Sequence, residues 1–174
     1  TQVTQPDSTW SSIGTGAYHT LAVRDDGSLW VTGYNANGQL GLGDISSVDV
    51  FTQVGADTDW VAATGGYGFS LGVRAAGSAW VCGDHSLYQL GDGTDADRTT
   101  FGQMSLQADW ETLAAGEFAS LAVRGDGSLW GWGYNLAGEL GLGDTGPRQL
   151  PVMIGSDTDW RDVSEGRYYS LAIK

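Results

Sequence analysis

Apolar residues in this chain fall in short runs of alternating apolar and small or polar positions, and each run is broken by Gly, Asp, Ser or Asn. Nowhere is a period of 3.6 residues sustained, so the pattern predicts strands and turns and leaves no place for an amphipathic helix. Across the first unit the runs predict strands near Trp10 to Thr15, His19 to Arg24, Leu29 to Gly33 and Val50 to Val54. Between the second and third lies Asp25-Asp26-Gly27-Ser28, echoed by Gly125-Asp126-Gly127-Ser128. Asp-Gly supplies the positive φ that a tight hairpin needs. The stretches 33–44 and 133–144 are too rich in Gly for a strand and predict a long folded loop before the fourth strand.

The same pattern then recurs. Trp10, Trp60, Trp110 and Trp160 stand fifty residues apart, and Trp30, Trp80 and Trp130 keep that spacing. Residues 10–59 set over 110–159 agree at 24 of 50 positions without a gap. A period of this length marks stacked supersecondary units. The units run 10–59, 60–109 and 110–159; residues 160–174 match the first two strands of a fourth, and 1–9 match the end of a preceding one. Four short strands per unit predict an all-β chain of four-stranded antiparallel propeller blades, three whole and one split.

The segment Ile13-Gly14-Thr15-Gly16-Ala17-Tyr18-His19-Thr20-Leu21-Ala22-Val23, followed by Gly27-Ser28-Leu29-Trp30 and Gly38-Gln39-Leu40-Gly41, resembles the repeat of the regulator of chromosome condensation family, and the likeness extends over essentially the whole chain. The resemblance implies part of a seven-bladed propeller. It also implies protein partners, and in one branch of the family guanine-nucleotide exchange on a small GTPase, associated there with an insertion beyond the regular repeat. A light-sensing branch carries Trp in the first hairpin loop. Here those positions hold Ala17, Tyr67, Glu117 and Arg167, which argues against such a sensor.

Composition narrows the chemistry. The chain has 28 Gly against 3 Pro, as turn-rich all-β proteins do, and 21 acidic against 8 basic residues give a net charge of −13. That field repels phosphate backbones and anionic membrane surfaces, so nucleic acid is not an expected partner. No apolar stretch is long enough for a membrane-spanning helix. The composition suits a secreted or surface bacterial protein and a cytoplasmic one equally. Cys82 is the one cysteine, so there is no disulfide within the chain, and its strand-like setting predicts a buried, inert thiol.

The HEXXH signature and the phosphate-binding Gly-Lys-Ser/Thr are missing from the sequence. No catalytic residue, metal site or cofactor is expected. His19 is matched in register by Phe69, Ala119 and Tyr169, so no catalytic partner recurs and a hydrogen bond to neighbouring backbone is the expected role. The loop 92–97 carries three Asp, but its spacing is not that of an EF-hand, which favours a solvated loop over a calcium site. Both Trp series predict core packing rather than sugar-stacking or light absorption. Arg24, Arg74, Arg124 and Lys174 share one register and are expected to pair with turn carboxylates such as Asp26 and Asp126.

What varies between units is the pair after the Gly of the first hairpin: Ala17-Tyr18, Tyr67-Gly68, Glu117-Phe118 and Arg167-Tyr168. Aromatic and Arg side chains on an exposed loop are the types that carry interface energy. Tyr18, Tyr67, Glu117, Phe118, Arg167 and Tyr168 are therefore the candidate partner-binding residues of a non-catalytic protein-interaction scaffold, unless the rings merely cover the neighbouring blade. The alternatives are an exchange-factor-like regulator and an extracellular carbohydrate-binding or surface module. Unpaired strand edges at the split blade also predict self-association.

Overall fold

The structure is a computed structural model that describes residues 9–104 and 109–174. The expected remnant of a preceding unit at 1–9 lies, apart from Thr9, outside the described residues. Alternating side chains and positive-φ turn glycines at Gly27, Gly77 and Gly127 (φ 78°, 72° and 76°) fold each unit as an antiparallel meander. The first sheet has the order β1 (Trp10–Thr15), β2 (His19–Arg24), β3 (Leu29–Gly33) and β4 (Val48–Gln53). A second sheet contains β5 (Trp60–Gly65), β6 (Phe69–Arg74), β7 (Ala79–Gly83) and β8 (Arg98–Gln103), and a third contains β9 (Trp110–Ala115), β10 (Ala119–Arg124), β11 (Leu129–Gly133) and β12 (Arg148–Met153). β13 (Asp162–Glu165) and β14 (Ser170–Ile173) form a two-stranded sheet. Among the described residues there is no helix, hence none able to cross a membrane.

Three of the four strands expected in the first unit have the bounds read from the sequence. The fourth starts earlier because Gly33 pairs with Val48 beyond an irregularity in the β3–β4 ladder, and Val54 has left the ladder although its N–H still donates to the Leu29 carbonyl at 2.9 Å.

First strands of successive sheets lie side by side around a common axis, close enough that a side chain would not fit between them. A Cβ on Gly66 would stand 2.5 Å from the Gly116 carbonyl oxygen, and one on Gly116 would stand 2.5 Å from that of Gly166. Glycine at this register is thus a packing requirement.

Each core is made by the second and third strands of one sheet and sealed by the first-strand Trp of the next. Leu21, Val23, Leu29, Val31 and Leu40 pack with Trp60; Phe69, Leu71, Val81 and Leu90 pack with Trp110; Leu121, Leu129 and Leu140 pack with Trp160. Trp60 and Trp110 are each 3% exposed, but Trp10 is 38% exposed. The expectation that the whole series is core is corrected at Trp10, because no described sheet lies on its outer side. In the second series Trp80 and Trp130 pack against the cores while half-buried, as Trp30 is, and the three indole N–H groups donate to Ser28, Ser78 and Ser128.

The basic register meets its expectation in part, since Arg24 and Arg124 help to lower the pKa of Asp26 and Asp126. Asp26 and Asp126 accept bonds from the backbone N–H and hydroxyl of Ser28 and Ser128, which hold both carboxyls below their usual range and fix the turn. The cations also pair with the segment before each first-strand Trp: Arg74 with Asp57 and Asp59, Arg124 with Asp109, and Lys174 with Asp157 and Asp159. They also lie over indoles; the Arg74 guanidinium is 4.5 Å from the Trp60 ring and 3.9 Å from that of Trp80, and Arg24 is 3.8 Å from Trp30.

A polar latch crosses every junction between sheets. Ser70, Ser120 and Ser170 donate their hydroxyls to the carbonyls of Gln39, Gln89 and Glu139, at 2.7, 3.0 and 2.6 Å. Trp132 adds its indole N–H to the Gln89 carbonyl at 2.9 Å, and buried Cys82, its thiol pushed well up by desolvation, reaches that of Gln39 at 3.4 Å.

The Ser70 hydroxyl has one proton, and the Gln39 carbonyl takes it. The 2.8 Å contact from His19 Nε2 to Ser70 is therefore an N–H donation from a neutral imidazole. His19 thus reaches across the junction, bonding the Ser70 hydroxyl and, as expected of it, a neighbouring backbone group, that of Phe69. Glu165 repeats this arrangement at the last junction. The Ser170 hydroxyl faces two acceptors there, the Glu139 carbonyl at 2.6 Å and Glu165 Oε1 at 2.8 Å.

Burial pushes His19 down to about 4 and Glu165 up to about 8, the latter helped by nearby Glu139. The two latches therefore respond to pH with opposite signs. For His19 the folded value lies below the ordinary 6.5, so its contribution is complete above that pH and is lost as pH falls through about 4. For Glu165 the folded value lies above the ordinary 4.5, so its contribution is complete below that pH and is lost as pH rises through about 8. Urea unfolding across this range should show Glu165→Gln with a flatter alkaline limb than the parent and an unchanged acid limb. An identical alkaline limb in both proteins would contradict the protonated Glu165.

Candidate functional site

The first hairpin of each sheet closes over three residues. The Gly N–H that opens the turn donates to the carbonyl of the residue that closes it, as from Gly16 to His19, Gly66 to Phe69, Gly116 to Ala119 and Gly166 to Tyr169, each at 2.9 Å. The glycine is held at the axis, and the two residues after it project from one face of the molecule. These are the positions that vary between units. The face belongs to the loops, so its side chains are free of the demands of the sheets.

On this face the candidate rings meet edge to edge. Tyr18 and Tyr67 have ring centroids 5.6 Å apart, and Tyr67 and Phe118 are 5.9 Å apart. Tyr34 extends the row from Tyr18 at 6.2 Å, and Tyr134 extends it from Phe118 at 6.1 Å. Tyr18 is 61% exposed, Tyr34 48% and Tyr67 44%. Phe118 and Tyr134 are half-buried.

Beside the arc lies a depression of about 520 Å³ lined by Ala17, Tyr67, Gly66, Glu117, Glu165 and Arg167 among others. The Arg167 guanidinium pairs with Glu117 and lies 5.1 Å from the Tyr168 ring; the Glu117 carboxylate raises its pKa further. Tyr168 is 47% exposed. All six candidate residues thus stand on one face: Tyr18, Tyr67 and Phe118 within the arc, and Glu117, Arg167 and Tyr168 at its end.

Tyr34 and Tyr134 were not candidates in the sequence, although the hairpin register could have found them. His19 pairs with Gly33, so residue 34 continues opposite residue 18, and the Tyr34 N–H donates to the Tyr18 carbonyl at 2.9 Å. Tyr134 is tied to Phe118 in the same way at 3.0 Å, and Asp84 to Gly68 at 2.9 Å. The outer row therefore reads Tyr34, Asp84, Tyr134.

The acidic loop 92–97 is largely exposed, as expected, with Asp92 as its buried member. Asp92 is buried and bonded to Thr94 and Arg98, which outweigh the desolvation that would raise its pKa and hold its carboxyl low. Asp95 accepts from the Gln149 amide at 2.8 Å, and Asp97 from the His85 backbone N–H at 2.8 Å. The three carboxylates face different partners, and among the described residues no group of three or more His, Cys, Asp or Glu is placed to hold a metal ion.

The fold is shared with known propellers. Prp20p from Saccharomyces cerevisiae, described with its binding properties to Gsp1p and histones, superposes with a TM-score of 0.83 at 21% identity over 92% of this chain and 42% of that one. The yeast RCC1 (Prp20) chain crystallised with Kap60 gives 0.83 at 22% identity over 92% and 41%. Human WBSCR16 gives 0.72 at 18% identity over 99% and 60%. This chain therefore spans about two-fifths of the yeast chains. No curated protein matches it in sequence at a significant level. Two family models, both described as the regulator of chromosome condensation (RCC1) repeat, match it: one at residues 10–39 and 110–139, the other at 26–73 and 126–173. With the second model alone spanning more than half of its residues, the chain belongs to the RCC1 repeat family.

Proposed function

We propose that the chain is a non-catalytic scaffold that binds a protein partner through the face formed by its first-hairpin loops, each unit of 10–59, 60–109, 110–159 and 160–174 contributing one loop. The observation that carries this reading is the arc of five rings, in which three Tyr exceed two-fifths exposure. Tyr is enriched where partners bind because it offers a large rigid surface with a polar tip. The strands behind the arc are consumed by blade packing, so the rings can change without cost to the core.

A partner captured on the parent protein should be released by the double substitution Tyr18→Ala with Tyr67→Ala. The expected loss is about 2 kcal/mol or more, the range of interface anchors. Equal capture by parent and variant, with both folded by circular dichroism, would overturn this reading.

We also propose that the last sheet associates with further β structure from a second copy. Leu171 and Ile173 are each 62% exposed, and beside them a depression of about 400 Å³ is lined by Leu121, Leu140 and Ile154 among others. A Cβ on Gly91 would meet the Trp132 ring at 2.5 Å, whereas the equivalent position at Gly141 has its nearest neighbour at 4.0 Å. Sedimentation velocity should show growth in size with concentration. A single monomeric species throughout would contradict the association.

A further inference from the structure

The chain has its own way of holding a cation, and it uses it repeatedly: carboxylate on one side, aromatic face on the other. Arg74 lies between Asp57 and the Trp60 and Trp80 rings, and Lys174 lies between Asp157 and Trp160. On the loop face Arg167 is held by Glu117 and the Tyr168 ring. In each case the protein supplies the cation as well as the cage.

Asp84 stands in the middle of the aromatic arc, where its register partners are Tyr34 and Tyr134. The paired loop position is Gly68 where the neighbouring sheets have Tyr18 and Phe118, and Tyr67 bridges the ring rows on either side. Space alone does not impose this Gly. A Cβ there would stand 3.4 Å from Asn37 and 3.5 Å from Asp84 Cβ, and the position is not one of positive φ. Gly66, two residues earlier, is by contrast hemmed in by backbone at 2.5 Å. The Asp84 carboxylate is held in place by the Ser86 backbone N–H at 2.8 Å and hydroxyl at 3.1 Å, and these are its hydrogen bonds. Its ion-pair capacity is unused among the described residues, while Arg74, Arg98, Arg124, Arg148, Arg167 and Lys174 are all taken up by other carboxylates.

We propose that the partner engages this face through a basic segment, with an Arg or Lys side chain bound at Asp84 and Asn37 and its stem lying across Tyr67. This rests on the protein-binding reading of the face and specifies its chemistry. The components match those of the filled cages, and the net charge of −13 draws basic chains toward the surface.

The test is fluorescence anisotropy with a labelled peptide of alternating Gly and Arg, with Gly-Glu and Gly-Ser peptides as references, at an ionic strength of about 0.15 M. The folded protein should bind the Gly-Arg peptide alone. Asp84→Asn keeps the bond from the Ser86 N–H and should weaken binding about tenfold, the loss expected for one charged hydrogen-bonded contact. Asp49→Asn, an equal change of charge at an exposed position on β4, should leave binding unchanged. No binding by the parent, or equal affinities for Asp84→Asn and Asp49→Asn, would overturn the inference. A captured protein partner lost on Tyr67→Ala but indifferent to Asp84→Asn would leave the protein-binding face standing without the basic chemistry. Indifference to both changes would remove the two readings together.

Discussion

Everything in this molecule rests on the burial of one sheet's tryptophan in its neighbour's core. A four-stranded meander of fifty residues cannot enclose its own apolar face, because its second and third strands present Leu and Val to one side with nothing above them. Trp60 and Trp110 supply that cover from the next sheet. A buried indole removes about 150–250 Å² from water, so the junction is the largest single apolar contribution a unit receives. The Ser-to-carbonyl latch then fixes the angle between sheets at a point where an unpaired carbonyl would be costly. Stability is thus shared between neighbouring sheets: Trp60 and Phe69, packed at junctions between described sheets, are 3% and 0% exposed.

This division of labour explains why function is placed where it is. Sheet residues answer to packing on both sides, the axial glycines to backbone contact, and Asn35 and Asn135 to the folding of the long loops, where their amides bond Asp44 and Asp144. Positions 17 and 18 and their equivalents answer to none of these. They can be Ala, Tyr, Glu or Arg in successive units, and the arc of rings is made by that freedom. Asp84 among the tyrosines is the same freedom used for charge.

Much of the fold was legible because it follows local rules. Alternation located β1 to β3 to the residue, and Asp-Gly located the hairpins. Less was legible where a residue's partner comes from another unit. The sequence cannot tell Trp10 from Trp60, since the difference lies in what stands beyond each ring. It points the cations at the turn acids, yet the second turn, Ala75-Ala76-Gly77-Ser78, has none, and Arg74 reaches back to Asp57 and Asp59 before Trp60. Gly66 recurs in every unit where Gly68 does not, and the backbone opposite Gly66 supplies the physical reason. The six loop candidates were legible because variation against a regular repeat stands out. Tyr34 and Tyr134 were hidden because they repeat.

The central claim is that a tryptophan stabilises the sheet before its own. Hydrogen exchange on Trp110→Ala tests it most directly. The account predicts an overall loss of about 3–5 kcal/mol, with protection falling first and furthest in β6 and β7 of the preceding sheet. Protection lost only in β9 and β10, with β6 and β7 unchanged, would contradict it.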